Sequence, residues 1–189
     1  FGDTSDCVLM TSRGGTRYDR TFGEALVRPG IGAENWVSRT NYPALGVVPT
    51  GELEMSLYVN QNYGQPTAHL RRYVWRTDGL ACVWAPATGG EMVTKPMSFD
   101  GDRLEVNFAT SAAGSLRVEI HDVGGHAIPG FELKDAREMI GNDIDRAVAW
   151  KDGPTVTQLA GQVVRLRFVL ADAELYAFRF SPDDPASAP

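Results

Sequence analysis

The residues of this chain best equipped for chemistry gather in its first third: Arg17-Tyr18-Asp19-Arg20, Glu24, Arg28, Asn35-Trp36, Arg39, Asn41-Tyr42, Glu52, Glu54 and Tyr58. Planar apolar rings suit the C–H face of a sugar. Arginine, asparagine and carboxylates suit its hydroxyls, and a glutamate or aspartate is what glycosidic chemistry would require. Within the cluster, Arg20, Glu24, Arg28, Asn35, Trp36 and Arg39 combine stacking surface with hydroxyl-bonding groups and form the candidate ligand site. An arginine that makes two parallel bonds favours an anionic glycan, a preference opposed by the chain's net charge of −6. The other reading of these residues is a polar sheet edge whose arginines are satisfied internally. Catalytic residues cannot be assigned from this pattern.

Other chemistry has less to stand on. Two distant cysteines, Cys7 and Cys82, and three histidines, His69, His121 and His126, do not form a metal-ligand set, so neither metal nor cofactor is expected. His121, Asp122 and His126 lie together at a hairpin and read as a solvated turn. No Gly-x-Ser-x-Gly elbow, phosphate loop or dinucleotide fingerprint is present. The cysteines read as two buried thiols, with a disulfide as the alternative. Trp75, Trp84 and Trp150 read as core, since large aromatics are mostly hidden.

The elements that must position these groups are strands. In Ser115–His121 the residues Leu116, Val118 and Ile120 share one face, and Arg117, Glu119 and His121 share the other. The alternation returns in residues 164–170 and 176–180, which predicts half-buried strands with Leu116, Val118, Ile120, Leu166, Phe168, Phe178 and Phe180 in a core. Leu53, Met55, Leu57 and Val59 share one side of an earlier strand. Asp78-Gly79 predicts a tight turn that returns residues 80–84 against residues 70–75. Ala136, Ile140, Ile144 and Val148 fall at helical spacing, but Gly141-Asn142-Asp143 interrupts them, so a short helical turn followed by a strand is expected.

These elements predict an all-β chain in three parts: a small blade-like β portion over 1–67, an antiparallel, jelly-roll-like β-sandwich over 68–180, and an extended tail over 181–189. At 189 residues and 43% hydrophobic composition the chain can bury a substantial core. Net charge −6 and a pI near 5.0 argue against a nucleic-acid groove. Lys95, Lys134 and Lys151 are the lysines, and arginine supplies the rest of the 18 basic residues. No apolar run approaches the ~20 residues of a membrane helix, and no membrane partner is expected. The start at Phe1, directly before a strand-like segment, suggests a processed or truncated product.

The residues also carry a resemblance. The order Asp3-Thr4-Ser5-Asp6-Cys7-Val8-Leu9-Met10-Thr11-Ser12-Arg13-Gly14-Gly15, Tyr18-Asp19-Arg20, Glu24 to Gly30 and Asn35-Trp36 resembles the last blade of bacterial five-bladed β-propeller glycosidase-like proteins. These are related to the sucrase/levanase and sialidase-like groups. Arg72-Tyr73, Arg76-Thr77-Asp78-Gly79, Gly89-Gly90-Glu91, Thr94-Lys95-Pro96, Gly114 to Ile120, Trp150 and Leu166-Arg167-Phe168 are similar to the sandwich that follows the propeller there. The resemblance implies a carbohydrate-active, secreted or periplasmic parent whose other blades would be this chain's partner. Such propellers draw catalytic carboxylates from several blades, and the sialidase Ser-x-Asp-x-Gly-x-x-Trp box is absent here. It therefore implies no catalytic residue, and the chain by itself is not expected to hydrolyse glycosides. Three readings follow: an accessory part of a glycoside hydrolase, an autonomous carbohydrate-binding module, or a structural domain with no sugar ligand. Two exposed, coplanar tryptophans on one face would favour the second.

Overall fold

Every regular element in residues 3–182, which the computed structural model describes, is a strand apart from two 3-10 turns, Ala33–Asn35 and Thr157–Leu159. The strands fall into two units, Phe1–Thr77 and Asp78–Pro189. In the first, β1 (Cys7–Val8) pairs antiparallel with β2 (Ala25–Val27). A second sheet is built on β5 (Glu54–Gln61). Along one edge of it lie β3 (Tyr42–Pro43) and β4 (Val48–Pro49), and along the other lies β6 (His69–Arg76). Leu57 and Val59 point inward with Val27, as the alternation predicts, and Cys7, Leu26, Tyr73 and Trp75 pack on them. This apolar core is small, and polar side chains complete it. Buried Gln61 donates from Nε2 to the Tyr73 hydroxyl at 2.9 Å and to Asn41 Oδ1 at 3.4 Å, and buried Asn41 donates to the Ser5 carbonyl at 2.9 Å. A buried amide is tolerable only when bonded in this way.

The second unit is organised by two long strands, β10 (Arg103–His121) and β12 (Val163–Ser181), paired antiparallel from Arg103 opposite Ser181 to His121 opposite Arg165. β11 (Asn142–Ala147) flanks β10, while β7 (Val83–Ala85), β8 (Gly90–Val93) and β9 (Met97–Ser98) succeed one another along the far edge of β12. The ribbon does not run straight. Phe168 and Phe178 have ring centroids 5.4 Å apart, although ten residues of extended strand span roughly 33 Å. The ribbon is therefore folded over, so that its halves face each other as the two layers of a β-sandwich-like fold. The fold lies where the register slips between Thr110 and Ser115, opposite Asp172. Asp172 has φ 43°, and Gly114 is pressed so close that a Cβ on it would lie 2.3 Å from the Asp172 carbonyl oxygen and 2.7 Å from that of Ala171. Only glycine fits there.

Between the layers lie Leu104, Val106, Phe108, Leu116, Val118, Ile120, Leu166, Phe168 and Leu170, each at most 1% exposed. Phe178 and Phe180, expected in the same core, are only partly buried; they sit at the open end of the ribbon, where Phe180 stacks on Phe99 at 3.7 Å. Trp150 closes one flank, edge-on to Phe131 at 5.0 Å, with its Nε1 donating to the Val118 carbonyl at 3.0 Å. Trp150→Phe removes that donor and leaves a buried carbonyl unsatisfied, at a cost of about 1–3 kcal/mol. Urea unfolding should show it as a lower midpoint at unchanged slope, and an unchanged midpoint would contradict the role assigned to the indole N–H.

Several local expectations are corrected. β6 pairs with β5 rather than with residues 80–84, and the division falls at Thr77/Asp78, not at 67/68. Asp78 does adopt the positive φ of a tight turn, at 52°. The segment after it is captured by β12, where Ala85 is buried opposite Ala173. The helical spacing at 136–148 gives only a turn on the Glu132 carbonyl, and Ile140 is exposed; strand β11 follows as expected. Ser181 belongs to β12, not to a tail, and residues 183–189 of that expected tail lie outside the described residues. Cys82 is exposed and Cys7 half-buried, both as free thiols rather than buried ones. Trp84, expected in the core, is 62% exposed, because its edge strand turns Ala85 inward instead.

Candidate functional site

Pairing of β1 with β2 brings the N-terminal segment against residues 25–29 and opens a groove beside Trp36. The groove has a volume of about 570 Å³; Thr4, Ser5 and Asp6 line it together with Ala25, Arg28, Pro29 and Trp36. Its walls are held by local bonds. The Thr4 hydroxyl donates to the Trp36 carbonyl at 3.2 Å, and Asn41, itself at φ 68°, fastens the Ser5 carbonyl. The loop carrying Trp36 closes on itself. Asn35 Nδ2 donates to the Ile31 carbonyl at 3.1 Å, and Trp36 Nε1 donates to the Gly30 carbonyl at 3.1 Å. Gly32 supplies the φ of 106° that the loop needs.

This arrangement decides what Trp36 can do. Its N–H is engaged within the loop, and the residue is 41% exposed where it lines the groove. Among the described residues, the groove is also lined by one cation, Arg28, one carboxylate, Asp6, and the hydroxyl residues Thr4 and Ser5. An indole beside a few polar groups in a groove of this size suits a small polyhydroxylated ligand.

Of the six candidates, the groove brings together Arg28 and Trp36. Asn35 is buried at 8% exposure and serves the loop. Arg39 lies 5.7 Å over the Tyr63 ring and donates to its hydroxyl at 3.4 Å, and that bond raises its pKa. Arg20 and Glu24 are exposed and are not among the groove-lining residues. A second hollow, of about 670 Å³, lies in the 11–19 loop, lined by Arg13, Arg17, Tyr18 and Asp19 among others. It is shaped by one loop, pinned by the mutual backbone bonds of Thr11 and Asp19 at 2.9 and 2.7 Å. Thr4, Ser5 and Asp6 were not among the candidates; the polar run Asp3-Thr4-Ser5-Asp6 just before a strand was the available signal.

A network of charged side chains lies in the second unit. Glu119, 7% exposed, accepts from His121 Nε2 at 2.6 Å, from the Leu133 N–H at 2.7 Å and from Arg167 Nη1 at 3.0 Å. Arg167 reaches on to Glu91 Oε2 at 2.6 Å. Burial alone would raise the Glu119 pKa, but the bonds from His121, Leu133 and Arg167 outweigh it and pull the value from 4.5 down to about 2. Every member is engaged with a neighbour across β8, β12 and β10 or with the segment that covers them. The network is therefore a clamp on the outer face of one layer. Among the described residues, no group of three or more His, Cys, Asp or Glu is placed to hold a metal ion.

Compared with known protein families, curated proteins and solved structures, the chain matches none.

Proposed function

We propose that this chain is the accessory, non-catalytic part of a carbohydrate-active protein of glycoside-hydrolase type, and that it contacts glycan through the Trp36 groove. The kinship rests on the residues in which the resemblance was read. The contact rests on one observation: Trp36, 41% exposed, lines a groove together with Arg28, Asp6, Thr4 and Ser5. Either glycosidase scheme uses a pair of carboxylates. Among the described lining residues Asp6 is the one carboxylate, which supports binding rather than hydrolysis. Because Asp6 offsets Arg28, the groove suits a neutral sugar better than the anionic glycan that the arginine-rich cluster suggests.

Calorimetric titration with neutral oligosaccharides, chosen by a glycan array, tests the reading. Trp36→Ala should weaken binding by about tenfold or more, equivalent to about 1.4 kcal/mol, and Arg28→Ala should weaken it less. Arg39→Ala, whose guanidinium is occupied by Tyr63, should leave it unchanged. Undiminished binding in Trp36→Ala would remove the site from this groove. No binding by the wild type would leave the structural-domain reading.

A further inference from the structure

The outer edge of β6 is open. The phase of the ladder says which groups it presents. Thr77 N–H donates to the Leu53 carbonyl at 3.0 Å, and on the other side of β5 the carbonyls of Tyr58 and Asn60 accept from Ala44 and Asn41, both at 2.7 Å. Tyr58 and Asn60 thus point their backbone toward β3, while Leu57 and Val59 bond to their partners Tyr73 and Arg71 on β6. The intervening residues Leu70, Arg72 and Val74 turn N–H and C=O outward. Among the described residues, β6 pairs with no other strand.

The side chains along this edge are equally open. Leu70 is 68% and Val74 47% exposed, on one face, with Arg72 between them. His69 and Arg71 are exposed on the other face. Arg72 is held in place by Glu54, by Ser56 Oγ at 2.8 Å and by Thr50 Oγ1 at 3.0 Å. An exposed strand of this length is a template for a further strand. Arg72 is already paired with a carboxylate, so the charge that selects the partner is that of Arg71, exposed on the other face. A second copy of β6 would set arginines against arginines, and like charges across a strand pair are destabilising. Carboxylates opposite His69 and Arg71, on one face of the added strand, would be attracted, while the apolar residues that alternate with them cover Leu70 and Val74 on the other face.

We propose that the outer edge of β6 docks an extended segment of a partner protein, one that alternates apolar and carboxylate side chains and adds as a strand beside Leu70, Arg72 and Val74. This is strand addition, in which main-chain bonds supply affinity and alternate side chains supply choice. It is independent of the Trp36 groove.

The test uses the full chain and a capped octapeptide alternating glutamate and valine, with the lysine–valine octapeptide as control. Binding is read by fluorescence anisotropy, and amide exchange is read by NMR. The glutamate peptide should bind about tenfold or more tighter than the lysine peptide and should slow exchange at Leu70, Arg72 and Val74. Val74→Pro deletes an outward N–H without touching the β5 ladder, a substitution that edge strands accommodate; it should weaken binding by about tenfold. Leu70→Glu changes an exposed side chain, leaves the backbone intact and should weaken binding by charge. Equal affinity for the lysine peptide, indifference to both substitutions, or no binding at millimolar peptide would each overturn the proposal. So would a chain dimer that Val74→Pro returns to monomer, because β6 would then pair with its own copy.

Discussion

Gly114→Val should strongly destabilise the second unit. An added Cβ would lie 2.3 Å from one backbone carbonyl oxygen and 2.7 Å from the next. Neither can swing aside as a side-chain tip would, because both belong to the strand across the fold. Relief requires parting β10 from β12 where the ribbon folds over, and overpacking of this kind costs about 1–3 kcal/mol or more. For a unit of this size that is a fall in melting midpoint on the order of 10 °C. Asp172→Gly is the matching control. It relieves a left-handed φ of 43°, but glycine's freedom in the unfolded chain offsets the gain, so the net change should stay within about 1 kcal/mol. Thermal unfolding followed by near-ultraviolet circular dichroism would read both. A Gly114→Val protein that melts with the wild type would show that the fold-over is not held by this contact.

Glu119→Gln should be comparably damaging. The amide offers one oxygen to three donors, and its own NH₂ is set against Arg167 and His121. Breaking such a buried, charge-assisted network costs roughly 3 kcal/mol. The pH dependence has a definite sign. The folded-state pKa is depressed, from 4.5 to about 2, so the stabilisation is fully present above the unfolded value and is lost as pH falls through the folded one. Between pH 4.5 and about 2 the wild type should therefore lose on the order of 3 kcal/mol more than the variant. Urea midpoints of the two proteins measured across that interval should converge as the pH falls. A constant gap would mean that Glu119 is protonated, or unpaired, in the folded protein.

Both substitutions act on contacts that single strands do not announce. The alternation in residues 115–121 and 164–170 names an inward face, and Leu116, Val118, Ile120, Leu166 and Phe168 are all buried. What alternation omits is pairing partner and parity. A register slip opposite Ala177, beside the bulged Tyr176, shifts the inward set of β12 from Leu175 to Phe178. That is why the strand over 176–180 was legible by itself but not as the continuation of one 19-residue strand. The Asp78-Gly79 turn was readable as a turn, while its return strand was decided by the burial of Ala85 opposite Ala173, far along the chain.

The candidate site was legible in the same uneven way. Residue types drew attention to Arg28 and Trp36, which the groove unites. Asn35 and Arg39 have the same polar character, but their partners, the Ile31 carbonyl and Tyr63, draw them to other work. Thr4, Ser5 and Asp6 reach the site only because β1 pairs with β2. That adjacency is a property of the sheet, not of any local stretch of sequence.

The folded-over ribbon also bears on how such a domain can change. In a sandwich made of separate sheets, a strand can lengthen in one layer without disturbing the other. Here β10 and β12 each run through both layers, so one residue inserted in either would shift the alternation on one side of the fold and turn its apolar set outward. Length variation is thereby confined to the connections. The stretch between β10 and β11, with its turn at Asp122–His126, can absorb insertions without changing the parity of either strand.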